Sequence, residues 1–326
     1  MNKTSMTTRR EALKQTAALA ALAATGGAHA QVGGQVIKMV VPFAAASYTD
    51  NIARLIAPSL SDKLGQTIVI ENRAGANGVI GANYVAKAPP DGLTILVGGA
   101  SLNSVNPSVY KTLPYDPVKD LLPVARIGML PFMLVVNPSL PITNVAELIA
   151  YARKNPGKLA YGAPNAATLV GMEVFKRNAG IDITSVPYKA SPQAITDLVG
   201  NTIQVMIADF AIAMPQVRAR KLRMIAVTMK DRSPLLPDVP PMAEQVRNFD
   251  ISAWTGLFLP GEAPPAMANR IYEALQSVLA SAELRAKFAS IGFDVLPLGP
   301  VEFGAYVRSD IKAWAGLVNE AGVKPE

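Results

Sequence analysis

The chain has 326 residues, half of them hydrophobic, with 31 basic against 24 acidic side chains and a net charge of +7. No run of Lys or Arg forms a stripe, which argues against a nucleic-acid partner. Cysteine is absent and the single histidine is His29, so beyond residue 30 Ser-His-Asp and Cys-His nucleophiles, thiolate chemistry, disulfides and the usual zinc sites are excluded, and no metal or cofactor is expected.

Residues 1–30 read as an export signal. Lys3, Arg9, Arg10 and Lys14 precede or flank a mild apolar run over 17–24, and Ala28-His29-Ala30 supplies an A-x-A cleavage site. The apolar run is too short to cross a ~30 Å hydrocarbon core. The paired arginines, followed by Leu13 and Lys14, resemble a twin-arginine signal. The expected mature chain begins near Gln31, and loss of four basic residues and Glu11 leaves it a net charge near +4, a mild field that favours small anions. No later run reaches membrane length, so a soluble periplasmic protein is expected. Roughly 295 residues exceed a typical single domain, which points to two lobes.

Strands and helices alternate from there. A buried strand over 36–41 ends at Pro42, and a helix over 50–64 carries Ile52, Leu55, Ile56, Leu60 and Leu64 at helical spacing. Pro58 is expected to kink or split it. A strand over 67–71, a helix over 78–88 closed by Pro89-Pro90-Asp91-Gly92, and a strand over 93–97 complete a parallel α/β pattern. The pattern restarts with a strand over 132–136, a helix over 144–154, a strand over 158–161 and a helix running to Asn178. A short strand over 184–187 precedes a helix that Ser191 is expected to cap, with Pro192 at its first position. Strands over 205–208, 223–227 and 255–259 follow, then helices over 264–281, 282–291 and 301–321. The expected organisation is lobe 1 from 31–131 with 258–326 and lobe 2 from 132–257, with crossing segments near 132–136 and 255–259 acting as a hinge.

Candidate site residues sit where strands end and helices begin, the place where open α/β sheets bind ligands. After the first strand come Ala46, Ser47, Tyr48, Thr49 and Asp50. A helix start offers free N–H groups and partial positive charge, which suit a carboxylate, and Ser47 and Thr49 add hydroxyls. Asp50 would repel an anion; it either caps backbone N–H groups or accepts from a water or a ligand N–H, and Thr49 and Asp50 are equally readable as a plain helix cap. The glycines at 75, 78 and 81 form G-x-x-G-x-x-G, which is neither a dinucleotide fingerprint nor a P-loop, and read as turn and packing positions. Ser101 fails G-x-S-x-G because Asn103 stands where Gly is needed, and no His remains to take its proton. Ser101, Asn103, Asn165 and Thr168 are instead candidate hydrogen-bond partners for a ligand. Tyr188, Lys189 and Ser191 share one turn; Lys189 either pairs with a carboxylate or is solvated. Asp209 ends an apolar strand and is either a cleft residue or a cap.

The chain resembles the Bug or TctC-like substrate-binding proteins of tripartite tricarboxylate transporters. The resemblance rests on Pro42-Phe43 with Thr49-Asp50 and Ala53-Arg54, on the run from Glu71 to Gly78, and on Pro90-Asp91-Gly92. It extends through Leu113 to Pro117, Val135 to Ser139, Val186-Pro187-Tyr188-Lys189, Arg232 to Pro240, and Trp254. It implies an α/β, two-lobed periplasmic-binding-protein fold (type II-like) that closes over a small carboxylate: a di- or tricarboxylate, an acidic amino acid or an aromatic acid. It implies delivery to the large and small permease subunits of a membrane transporter, by a monomer that is not an enzyme. It places the loop 46–50, Ser101, Asn103, the segment from Ala163 through Asn165 to Thr168, and Asp209 at the cleft, with carboxylates held by backbone N–H groups and hydroxyls. A module presenting its ligand to a sensor kinase, or an enzyme on the same scaffold, are the alternatives. Where the family has glycines before Thr-Asp, this chain has Ala45-Ala46-Ser47-Tyr48, which puts the backbone cradle in doubt. The ligand is therefore expected to differ from plain small dicarboxylates, and Tyr48 is a candidate to stack on an aromatic acid.

Overall fold

Ile37–Val41 (β1) and Thr94–Gly99 (β3) are buried along almost their whole length, the signature of parallel strands covered on both faces. The computed structural model describes residues 35–232, 236–247 and 249–325; the export signal expected over 1–30 lies outside them. β1 pairs in parallel with Ile68–Asn72 (β2) and with β3. Between them run helices Tyr48–Leu64 (α1) and Val79–Ala86 (α2).

Helix α1 passes through Pro58 without a break. An interior proline costs about 3 kcal/mol. Ile52, Ile56 and Leu60 are fully buried on either side of it, each worth about 1.5–3 kcal/mol, so packing outweighs the lost bond. Pro58 itself is on the exposed face, where water can solvate the orphaned carbonyl. Gly65 closes the helix in a left-handed conformation.

After β3 the chain makes one wide helical turn, Ser101–Val105, and a short helix, Asn106–Val109 (α3). It then enters Leu121–Val136 (β4), a strand of 16 residues and more than twice as long as expected. Its first part, Leu121 to Pro131, pairs antiparallel with Ser252–Pro260 (β9), which in turn pairs with β3. Its last part, Phe132 to Val136, pairs antiparallel with Val205–Asp209 (β7) on one side and Arg223–Val227 (β8) on the other. Ala160–Ala163 (β5) and Thr184–Pro187 (β6) extend this second sheet in parallel beyond β7. One strand therefore belongs to two sheets, and the junction falls at Pro131–Phe132. β9 lies in the first sheet from Ser252 onward. At the junction Thr228 N–H donates to Phe132 O (3.0 Å), its Oγ1 donates to Ile251 O (2.6 Å), and Ile251 N–H donates to Thr228 O (2.9 Å).

Around the second sheet lie helices Val145–Lys154 (α4), Ala166–Ala179 (α5), Ser191–Val199 (α6) and Phe210–Arg218 (α7). Pro265–Leu279 (α8), Ala282–Ser290 (α9) and Pro300–Ala321 (α10) close the chain. Ser191 is the first residue of α6 and does not cap it; the cap position is Ala190 and has no side-chain bond, because the Ser191 hydroxyl is turned to Asp209. The two sheets share β4 and form one continuous body of the described residues from Val36 onward. Among the described residues no helix is long and apolar enough to cross a membrane.

Candidate functional site

A cleft enclosing about 590 Å³, its open mouth included, lies at the junction of the two sheets. The starts of α1, α5, α6 and α7 all border it, through Ser47 to Thr49, Asn165, Ser191 and Asp209. Each start brings N–H groups with no intrahelical partner and the positive end of a helix dipole.

The first wall is the loop between β1 and α1. Ser47 N–H donates to Ala44 O (3.1 Å), closing a turn whose third residue, Ala46, has φ +61°. That position favours glycine, and the left-handed conformation costs an L-residue about 1–2 kcal/mol. Asp50 holds the strained loop: its carboxylate, 1% exposed, accepts from Ala46 N–H (2.9 Å), Arg54 Nε (2.8 Å) and Asn72 Nδ2 (2.9 Å). Asn72 also donates to Phe43 O (3.1 Å). Burial alone would raise the Asp50 pKa, but the bonds from Arg54, Asn72 and Ala46 prevail and hold it below its ordinary value. Asp50 is thus a clamp behind the wall. Ser47 caps α1, its Oγ accepting from Asp50 N–H (3.3 Å). The first internal bond of the helix is Asn51 N–H to Ser47 O (3.0 Å), so the N–H groups of Tyr48 and Thr49 precede the helical ladder. Tyr48 borders the cleft but is only 6% exposed; its hydroxyl accepts from Thr255 Oγ1 (3.2 Å) and its ring packs on Phe293 at 6.1 Å. A ring held this way offers little face to a planar ligand, and burial raises its pKa well above the ordinary value.

The second wall joins the two sheets directly. Ser101 Oγ donates to Asn165 Oδ1 (3.1 Å) and accepts from Ala167 N–H (3.4 Å). The hydroxyl therefore occupies the anion-favouring start of α5. Asn165 caps α5 by accepting from Thr168 N–H (3.0 Å), and Thr168 Oγ1 donates to Asn165 O (3.0 Å). Behind Ser101, Asn103 is fully buried and its Oδ1 accepts from Gly99 N–H (3.0 Å). Gly99 must be glycine because a Cβ there would stand 2.8 Å from Trp254 O.

The floor is made by Phe132, Ala253, Trp254 and Asp209. The Trp254 indole donates to Asp310 Oδ2 (2.7 Å) and meets Phe303 and Tyr306 edge-on at 5.4 and 5.9 Å, which fixes its ring. Burial raises the Asp310 pKa, against the bond from Trp254. Asp209, opposite Phe132 in the β4–β7 ladder, is 6% exposed. It does not cap α7 with its side chain. Its Oδ2 accepts from Ser191 Oγ (3.1 Å). Burial raises its pKa to about 6, with Ser191 and its own backbone N–H opposing.

Of the residues singled out in the sequence, Ser47, Tyr48, Thr49, Ser101, Asn165, Lys189, Ser191 and Asp209 line this cleft together. Ala163 and Tyr188 line a neighbouring groove that shares Asn165 and Lys189 with it. Tyr188 donates to Asp197 Oδ2 (2.8 Å), and its pKa rises to about 12 through burial and that carboxylate. Ala46, Asp50, Asn103 and Thr168 line neither; they support the walls from behind. Sequence reasoning missed Phe43, Gly99, Phe132, Pro164 and Trp254 as lining residues. A tryptophan just ahead of an apolar strand was the available signal for the last. Among the described residues, no group of three or more His, Asp or Glu side chains could hold a metal ion.

Residues 52–323 match the family described as tripartite tricarboxylate transporter family receptor. The chain is similar to Protein BugT of Bordetella pertussis, 34% identical over 292 residues that cover 88% of this chain and 90% of that one. It is similar in structure to Rpa4515 of R. palustris, solved with adipate, at 35% identity and TM-score 0.87, covering 90% of this chain and 99% of that one. MatC of Rhodopseudomonas palustris, solved with bound malate, aligns at 29% identity and TM-score 0.82 over 88% of this chain and 99% of that one. The α/β architecture expected from the sequence is the periplasmic-binding-protein fold of these relatives. The chain belongs to the TctC/Bug family of tripartite tricarboxylate transporter receptors, periplasmic solute-binding proteins rather than enzymes.

Proposed function

We propose that the protein captures a small carboxylate in the cleft at the sheet junction and delivers it to the large and small permease subunits of a tripartite tricarboxylate transporter. One observation carries this reading: four helix starts and the hydroxyls of Ser47, Thr49 and Ser101 converge on one space that Lys189 borders and that, among the described residues, no arginine or histidine lines. Main-chain N–H groups at helix starts hold a carboxylate well. The adipate and malate bound by two relatives supply the size class.

Export through the twin-arginine route, cleavage near Gln31 and action as a monomer in the periplasm belong to the same proposal. So do two lobes, 31–131 with 258–326 and 132–257, that part and close at the β4 junction. The pairing of β9 from Ser252 favours a return point just before that residue.

A thermal-shift screen of the processed chain against carboxylates tests the reading. A ligand at 100 times its Kd stabilises by about 2.7 kcal/mol, a rise of roughly 5 °C for a chain of this size. If no mono-, di- or tricarboxylate raises the melting temperature, carboxylate capture is wrong.

A further inference from the structure

Asp209 is an odd residue for an anion site. It is buried, it lines the cleft beside Ser47 and Thr49, and the side chain bonded to it is the Ser191 hydroxyl. Among the described residues it forms no ion pair. Lys189 borders the same cleft and is not paired with it. Asp50, the other carboxylate at a helix start here, is saturated by a guanidinium, an amide and a backbone N–H and is turned away from the cleft.

A bound carboxylate placed at the start of α1, where the N–H groups of Tyr48 and Thr49 precede the helical ladder, leaves Asp209 on the same cleft to meet the rest of the ligand. A methylene there strips Asp209 of water and gives nothing back, and a second carboxylate repels it. A hydroxyl or amino group donates a hydrogen bond to a charged acceptor, the stronger kind. We propose that Asp209 is a specificity residue that reads a hydrogen-bond donor on the ligand, so that the site prefers hydroxy- or amino-substituted carboxylates to the plain acids of the same skeleton. This rests on the carboxylate-capture reading and deepens it.

The test is a titration of the processed chain at pH 7.5 with three skeleton-matched series. They are succinate, malate and aspartate; glutarate, 2-hydroxyglutarate and glutamate; benzoate, 2-hydroxybenzoate and 2-aminobenzoate. In whichever series binds, a substituted acid should bind about 10- to 100-fold more tightly than the plain one, the range for a hydrogen bond to a charged group. Asp209→Asn should shrink that preference to about tenfold or less, at least several-fold below wild type, and its ligand-free melting curve and near-ultraviolet spectrum show whether it is folded. Asp209→Ser is the second variant and should lose the preference in the same way. A plain acid binding as tightly as its substituted partners, or a preference that survives in both variants, overturns the proposal and leaves carboxylate capture standing. Silence across all three series overturns the proposal, and carboxylate capture falls with it only if the wider thermal-shift screen is silent too.

Discussion

Replacing Asp209 with Asn should make the ligand-free protein more stable at neutral pH and no more stable at pH 4. The Asp209 pKa is raised from its ordinary 3.8 to about 6 by burial. A carboxyl group whose folded pKa exceeds its unfolded value binds more protons in the folded state between those two values, so stability falls as pH rises through them. Above pH 6 the group is charged in both states and the folded protein carries the full cost of the buried charge. A shift of roughly two units at 1.36 kcal/mol each puts that cost at about 3 kcal/mol. Asn is isosteric, keeps an oxygen for the Ser191 hydroxyl, and carries no charge. Its amide must still find an acceptor, so the gain should lie at about 1–3 kcal/mol. For a chain of this size that is a rise of about 2–6 °C in melting temperature at pH 7.5. The assay is a pair of melting series, wild type and variant, from pH 4 to pH 8. The difference should be near zero at pH 4, grow between pH 4 and 6, and stay level above. Tyr48, which feels the Asp209 charge and whose pKa burial holds well above its ordinary value, stays neutral over that range. A variant that melts lower at pH 7.5, or one whose gain is the same at both ends, refutes the reasoning.

Ala46→Gly should stabilise the protein by about 0.5–1 kcal/mol: it removes a left-handed strain of about 1–2 kcal/mol and gives back part of it as unfolded-chain entropy. A melting rise of about 1–2 °C checks it, and an unchanged or lower value would mean that the loop relaxes the strain elsewhere. Ser101→Ala removes the hydroxyl that bridges Asn165 and the Ala167 N–H, a loss of about 0.5–1.5 kcal/mol per bond. Its urea midpoint should fall, and an unaltered midpoint would show that the bridge carries no net stability.

Strands β1 and β3 were legible because burial on both faces leaves an apolar run in the sequence, as at Val40 and Val41. The first half of β4 was not, because Pro123, Arg126, Gly128 and Pro131 interrupt it. The β4–β9 ladder absorbs them with register shifts at Pro123/Ala125 and Arg126/Gly128, which no alternation rule anticipates. The polar half of the site was legible because ligands and helix starts share the carboxyl ends of strands. The apolar half was not: Phe132 and Trp254 look like core in sequence, and they reach the cleft because the sheets meet beside them. Ser191 shows the same limit. A serine before a proline reads as a helix cap, but the register of β4 with β7 carries Asp209 to within 3.1 Å of its hydroxyl.

Asp50 and Asp209 pose the same sequence problem, a carboxylate where a strand passes into a helix, and the structure resolves them in opposite ways. Arg54 lies one turn along α1 from Asp50, and the β1–β2 register sets Val41 opposite Asn72 and so brings that amide to the same carboxylate. Enough donors, one of them cationic, make the charge of Asp50 part of the fold and hold its pKa low. Asp209 receives one hydroxyl and lies at the junction of the sheets, so its charge is costly to the empty protein. A residue that destabilises the fold and faces the binding space is retained for what it does to the guest, the usual exchange of stability for function. The arrangement of donors around each carboxylate, more than its position in the motif, therefore separates the aspartate that builds the wall from the one that reads the ligand.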